Sequence, residues 1–167
     1  MTHKIALPIL LLLCLVTAAC GSNAPAATPT ADLCSAENLP AEVNKVQMLM
    51  RNFDDYALLA SNTPQGQLIQ ILPDMQRITR SAEDLPVPAC LQALKDLQVT
   101  HMKAVVTTLM AFMRTTDAAG LEQVNAGISE ARDLRMKYDV EAARLLGVTL
   151  TPSPTALAVT PAVTPGP

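Results

Sequence analysis

The chain has 167 residues and a net charge of −3 at pH 7, and only 2% of its residues are aromatic. With both low-complexity ends set aside, about 115 residues remain, enough for one folded domain. No cluster of Lys or Arg is present, which excludes the electrostatic footprint of a nucleic-acid-binding protein. Leu, Ala, Met and Val supply most of the apolar content, and this composition favours helices over strands.

An apolar segment near the amino terminus determines where the rest of the chain is expected to reside. Lys4 precedes an apolar run over residues 5–16, which is too short to cross a bilayer comfortably as a helix. Residues 17–20 read TAAC, so small side chains lead directly to Cys20. This pattern predicts a signal peptide over residues 1–19.

The TAAC ending resembles the lipobox of bacterial lipoproteins, and the resemblance covers only the first twenty residues. It implies that Ala18 and Ala19 fit the narrow pocket of the signal peptidase and that Cys20 becomes the lipidated first residue. Cys14 fits this role poorly because bulky Leu13 precedes it. The resemblance also implies export and attachment by lipid to the outer face of the bacterial cytoplasmic membrane or to the cell envelope. The alternative is an ordinary secretory signal with an incidental cysteine.

The segment that follows Cys20 is predicted to be a flexible tether over residues 20–33. Residues 21–31 are rich in small residues and Pro and show no apolar periodicity. Fully extended, they would hold a domain roughly 30 Å from the membrane.

Two cysteines, Cys34 and Cys90, remain once Cys14 is removed with the signal peptide and Cys20 is lipidated. In an oxidising compartment such a pair is expected to form a disulfide that closes a long loop. The alternative is two separately buried thiols. A metal site is disfavoured because no nearby His or Cys completes a ligand set.

Two helices are predicted in the first half of the domain, over residues 40–60 and 64–84. The first has a continuous apolar stripe formed by Leu39, Val43, Val46, Met50, Phe53, Ala57 and Ala60. Thr63 and Pro64 favour the start of the second helix. Pro73 lies inside its pattern and is predicted to kink or split it.

Two longer helices are predicted in the second half, over residues 88–114 and 118–146. The first of them carries two apolar stripes about 100° apart, one formed by Leu94, Leu97, His101, Val105, Thr108 and Phe112, the other by Met102, Val106, Leu109 and Met113. A face this wide contacts two neighbours, so this helix is predicted to be the most buried. The last helix is predicted to bury Leu121, Val124, Ile128, Ala131, Leu134, Tyr138, Ala142 and Leu145, and Gly147 suits its carboxyl end.

The sequence thus predicts an all-α fold, an antiparallel up-down four-helix bundle over residues 34–147. Cys34 and Cys90 both precede odd-numbered helices, whose starts lie at the same end of such a bundle, so the disulfide agrees with this topology. Residues 148–167 repeat Thr-Pro and are predicted to form a disordered tail. A glycosylated or wall-contacting stalk is the alternative for this tail.

Catalytic motifs are lacking in the sequence. It contains no G-x-S-x-G, no Gly-rich phosphate loop, no H-E-x-x-H and no C-x-x-C. His101 is the one histidine that remains after removal of the signal peptide, which excludes a paired Glu-x-x-His di-iron site. The adjacent carboxylates at 54–55 and 83–84 point about 100° apart on a helix. They are interpreted as solvated faces, so we expect neither an enzyme nor a bound cofactor.

A copper site is the alternative that the sequence leaves open. Thioethers and imidazole suit Cu(I), and the candidate ligands are His101, Met102, Met110 and Met113. The competing interpretation is that the methionines fill a core that is poor in aromatic residues. The leading expectation is therefore a lipid-anchored, non-catalytic binding or structural module of the cell envelope. Its lipid would contact the membrane, and its domain would contact a protein partner at the envelope. Nucleic acid is not expected as a partner.

Overall fold

The computed structural model describes residues 32–149, and this part of the chain is helical, without strands. Its four α-helices are α1 (Leu39–Ser61), α2 (Leu72–Asp84), α3 (Gln92–Arg114) and α4 (Ala118–Leu145). Two short 3-10 helices, Gln65–Gln70 and Ala89–Leu91, precede α2 and α3. The prediction of an all-α fold is confirmed. None of these four helices offers the long uncharged apolar stretch that crossing a bilayer requires.

Several predicted segments lie outside the described residues. These are the signal peptide over 1–19, Cys20, the tether up to residue 31, and the tail from residue 150 onward. The predictions made for them stay predictions.

Helices α2 and α3 begin later than the sequence predicts. The expected helix over 64–84 is divided into a 3-10 helix and α2, and Pro73 lies in the first turn of α2. Proline has no N–H to donate and its ring clashes with the carbonyl four residues earlier, so an α-helix starts there more readily than it continues. Pro88 is extended, with ψ at 158°, and α3 therefore starts at Gln92 instead of residue 88.

Helix α1 packs through the stripe that its sequence predicts. Val43, Val46, Met50 and Phe53 are buried, and so is Ala60 near its end. These residues are separated by three, four or seven positions, so they share one face of the helix. Phe53 is fully buried in a core otherwise built from aliphatic and Met side chains.

Helix α3 contacts each of the other three helices. Leu94, Gln98, His101, Met102 and Val106 are its buried residues. The breadth of this buried face agrees with the double stripe of the sequence. Other members of the two stripes, Leu97, Val105, Leu109, Phe112 and Met113, are only partly buried.

Helix α4 is capped at both ends, and the sequence predicts the cap at its carboxyl end. The Asp117 side chain accepts a hydrogen bond from the Gly120 N–H at 2.8 Å, and Gly147 has a positive φ of 65°. Its inward face differs from the prediction in the first half of the helix. Leu121 is 49% exposed and Ile128 is 38% exposed.

The close approach of α4 to α3 explains this difference. A Cβ atom added at Gly127 would overlap the Thr108 side chain, so the glycine allows the two backbones to approach. Val124 and Ala131 are buried on either side of Gly127 along this face. With small residues facing α3, the larger Leu121 and Ile128 remain at the edge of the helix.

The burial of the two phenylalanines generates the first prediction. Phe53→Ala should lower the free energy of unfolding by about 3–5 kcal/mol, because it removes a fully buried ring and leaves a cavity. Phe112→Ala should cost distinctly less, since water already reaches its ring. Denaturant unfolding of the full chain, followed by circular dichroism, measures both. Equal losses in the two variants would contradict the burial pattern.

Candidate functional site

A group of polar side chains lies where α1, α3 and α4 meet, and Arg135 of α4 is its centre. Arg135 Nη1 donates to both carboxylate oxygens of Asp54 on α1, at 2.6 and 2.8 Å. Its Nε donates to both oxygens of Asp139, at 3.1 and 3.2 Å. Burial alone would lower the pKa of Arg135, but the hydrogen bonds and charges of the two carboxylates outweigh it and raise the pKa. Arg135 therefore stays charged and joins α4 to α1.

His101 lies in the same region on α3. Its Nδ1 is 2.9 Å from the carbonyl oxygen of Ala131 on α4. A carbonyl only accepts, so Nδ1 carries the hydrogen and the neutral ring presents Nε2 as a lone pair. The edge of the ring also faces Phe53 of α1, with centroids 6.2 Å apart.

Burial is the main cause that lowers the pKa of His101 below its ordinary value. The hydrogen bond to Ala131 raises that pKa, the charge of Arg135 lowers it, and the charges of Asp54 and Asp139 raise it. Because the net direction is downward, the imidazole is neutral at pH 7.

Gln98 and Tyr138 add two deeply buried polar groups nearby. Gln98 Nε2 donates to the carbonyl oxygen of Val46 on α1 at 2.7 Å. Within the described residues, neither Gln98 Oε1 nor the Tyr138 hydroxyl has a hydrogen-bond partner. Burial raises the pKa of Tyr138 to about 12, and the Arg135 guanidinium lies 5.8 Å from its ring centroid. Gln98 thus joins α3 to α1, and each of the two side chains leaves one buried polar atom unpaired.

The chemistry available to this group is limited. In residues 32–149, no three His, Cys, Asp or Glu side chains are placed to share a metal ion. His101 is the one imidazole among residues 32–149, and its Nδ1 is committed to a backbone carbonyl. Arg135 and Asp54 are bound to each other by hydrogen bonds and opposite charge. The arrangement joins three helices, and we assign no catalytic step to it.

The four copper candidates do not converge in the structure. Met102 is fully buried in the core, whereas His101 faces α1 and α4. Met110 and Met113 line a cleft against α2, where Gln76 Nε2 lies 4.0 Å from the Met110 sulfur. Met110 lies nine positions after His101, about 14 Å along a helix.

The structure joins Cys34 and Cys90 in a disulfide, with Cα atoms 6.0 Å apart and a sequence separation of 56. Cys34 lies just before α1, and Cys90 lies in the 3-10 helix that leads into α3. The disulfide therefore ties the start of α1 to the start of α3.

The cross-link between Asp54 and Arg135 is not predicted by the sequence. The adjacent carboxylates at 54–55 predict a solvated face, but Asp54 is bound by Arg135 across the α1–α4 interface. The two residues are 81 positions apart, and no local pattern marks such a pair. The bond from Gln98 to Val46 was missed for the same reason.

Comparison of the chain with family models, with curated proteins and with solved structures gave no match.

The disulfide generates a prediction about stability. Replacing both Cys34 and Cys90 with Ser should lower the free energy of unfolding by about 4 kcal/mol, because the unfolded chain regains the entropy of a long loop. Denaturant unfolding measures the loss. Wild-type protein treated with reductant is the matched control and should lose a similar amount. A loss below about 1 kcal/mol in both samples would contradict a structural disulfide.

The separation of the four candidate copper ligands generates a prediction about metal binding. Cu(I) should leave the melting temperature of the full chain unchanged, because no soft ligand set is assembled around His101. His101→Gln and Met113→Leu should behave like wild type in the same titration. A copper-dependent rise in melting temperature that His101→Gln abolishes would instead support the copper-binding alternative.

Proposed function

We propose that this chain is a lipid-anchored extracytoplasmic protein whose helical domain is a non-catalytic binding or structural module of the cell envelope. The observation that carries the proposal is the sequence of residues 17–20, TAAC, directly after an apolar run. Lipid on Cys20 would hold the protein at the outer face of the cytoplasmic membrane or in the envelope.

The disulfide supports the proposed compartment. Disulfides persist in exported proteins and are rare in reducing cytosol. Cys34 and Cys90 are the two cysteines that remain after Cys14 and Cys20 are assigned to the leader and the lipid, and they are paired. A chain with this pair folds to full stability only where thiols are oxidised.

We further propose that the four helices form an antiparallel up-down bundle. Contacts between α1 and α3 advance in the same direction, since Gln98 meets Val46 and His101 meets Phe53. The disulfide also joins the starts of these two helices. Such pairing is expected of the odd-numbered helices of an up-down bundle.

Contacts of α3 with its sequence neighbours run in the opposite direction. Lys103 is paired with Glu83 of α2, whereas Met110, further along α3, lies beside Gln76, earlier in α2. A turn of only three residues separates α3 from α4. Opposed neighbours and short turns support the antiparallel arrangement.

In the proposed bundle, the end opposite Cys34 is formed by the end of α1 and the start of α4. Leu58, Leu121 and Ile128 lie near that opposite end and are exposed. A protein partner at the envelope would find apolar contacts there.

Cys20→Ser tests the proposed anchor. The variant should lose incorporation of labelled palmitate in bacterial cells, because the thiol that accepts the lipid is gone. Cys14→Ser is the matched control and should be labelled like wild type. Unchanged labelling of Cys20→Ser would refute lipidation at this residue.

A further inference from the structure

The amino-terminal half of α4, residues 118–131, is held on α3 by small side chains. Gly127 meets Thr108, and Val124 and Ala131 are its buried residues. The larger Leu121 and Ile128 stay exposed. Stabilisation by burial scales with the apolar area removed from water, so this half of the helix gains little from its interface.

Local propensity adds to this weakness. Gly120 and Gly127 lie within the helix, and each glycine disfavours a helical backbone by about 1 kcal/mol relative to alanine. The cap at Asp117 is the main local support of this end. Segments with few buried contacts open at a lower free energy than the whole fold.

Two polar contacts end this weakly held segment. The carbonyl of Ala131 receives the hydrogen bond from His101, and Arg135, four residues later, binds Asp54. Beyond them, Tyr138 and Ala142 are buried in the core. Opening of residues 118–131 would therefore break the hydrogen bond between His101 and Ala131 and expose the His101 ring to water. The rest of α4 would stay attached.

We propose that residues 118–131 of α4 open from α3 as a unit, and that protonation of His101 at Nε2 favours the open form. While the segment is closed, the ring is only 7% exposed and packs between α1 and α4, so most of the water that would solvate a charge on it is excluded. Water solvates the same charge once the segment opens.

The charged groups that face His101 come from both helices packed against it. Asp54 belongs to α1, and Arg135 and Asp139 belong to α4. Arg135 opposes protonation and the two carboxylates favour it, but both carboxylates already accept hydrogen bonds from Arg135. Tyr138, also on α4, has a pKa of about 12 and stays neutral. Burial decides the outcome and keeps the pKa of the closed state low.

Acid is expected to favour the opening of residues 118–131. The open state binds the proton at the ordinary pKa of about 6.5, and the closed state binds it only at lower pH. Opening is therefore unaffected above pH 6.5 and becomes more favourable as pH falls below it. The increase is at most about tenfold per pH unit and stops once His101 also titrates in the closed state.

Amide hydrogen exchange of the full chain in a non-ionic detergent tests the proposal. Rates at pH 7.5 and pH 5.0 are first corrected for the intrinsic pH dependence of exchange. Protection of amides in residues 121–131 should fall several-fold at pH 5.0, and by no more than about thirtyfold. Amides of residues 46–53 in α1 are the internal control and should keep their protection.

His101→Gln is the matched variant, because Gln retains a donor for the Ala131 carbonyl but does not titrate. Its residues 121–131 should show equal corrected protection at both pH values. Unchanged protection in wild type, an equal loss in all helices, or a pH effect that persists in His101→Gln would overturn the proposal. If the His101→Gln variant loses its helical circular dichroism signal, NMR titration of the His101 ring in the wild-type protein is used in place of the variant. A midpoint at or above about 6.5 would then overturn the proposal.

Discussion

Burial against α3 is the constraint on which the rest of the structure depends. The other three helices contact α3, and α2 and α4 have no comparable contact with each other. A chain with almost no aromatic residues cannot fill the space between helices with large rings. It uses Met50, Met75 and Met102 in the core beside the single fully buried ring of Phe53. Methionine adapts to irregular gaps, which suits a helix with several neighbours.

The two sides of α3 are packed by different means. Toward α1 and α2 the contacts are large and apolar, and the disulfide and the bond from Gln98 to Val46 add to them. Toward α4 the contacts are close but small, and Thr108 against Gly127 is their clearest example. Polar groups then join α4 to α1 through Arg135 and Asp54. An exposed ion pair contributes little, but here both partners are half-buried and one nitrogen, Arg135 Nη1, donates to both oxygens of Asp54, which fixes the position of the guanidinium.

Much of the fold follows from local physics and was predictable. The apolar stripe of α1, the division of the second predicted helix at Pro73 and the end of α4 at Gly147 depend on residues near each other in sequence. The errors concern rotation and long-range pairing. Leu121 and Ile128 fit an apolar stripe, but Gly127 allows α4 to approach α3 more closely on a different face. A search for apolar periodicity does not count glycine, so it misses this face. Asp54 and Arg135 lie on different helices, and one sequence gives no means of pairing them.

The disulfide and the polar contacts act on different parts of the same domain. Cys34 and Cys90 secure the starts of α1 and α3, so fraying of α1 at that end does not separate it from the central helix. The start of α4 is held by its cap at Asp117, by small side chains against α3, and by Gln65, whose Nε2 donates to the Phe112 and Thr115 carbonyls of the turn before it. If residues 118–131 open as proposed, the disulfide would keep α1 joined to α3 while they do.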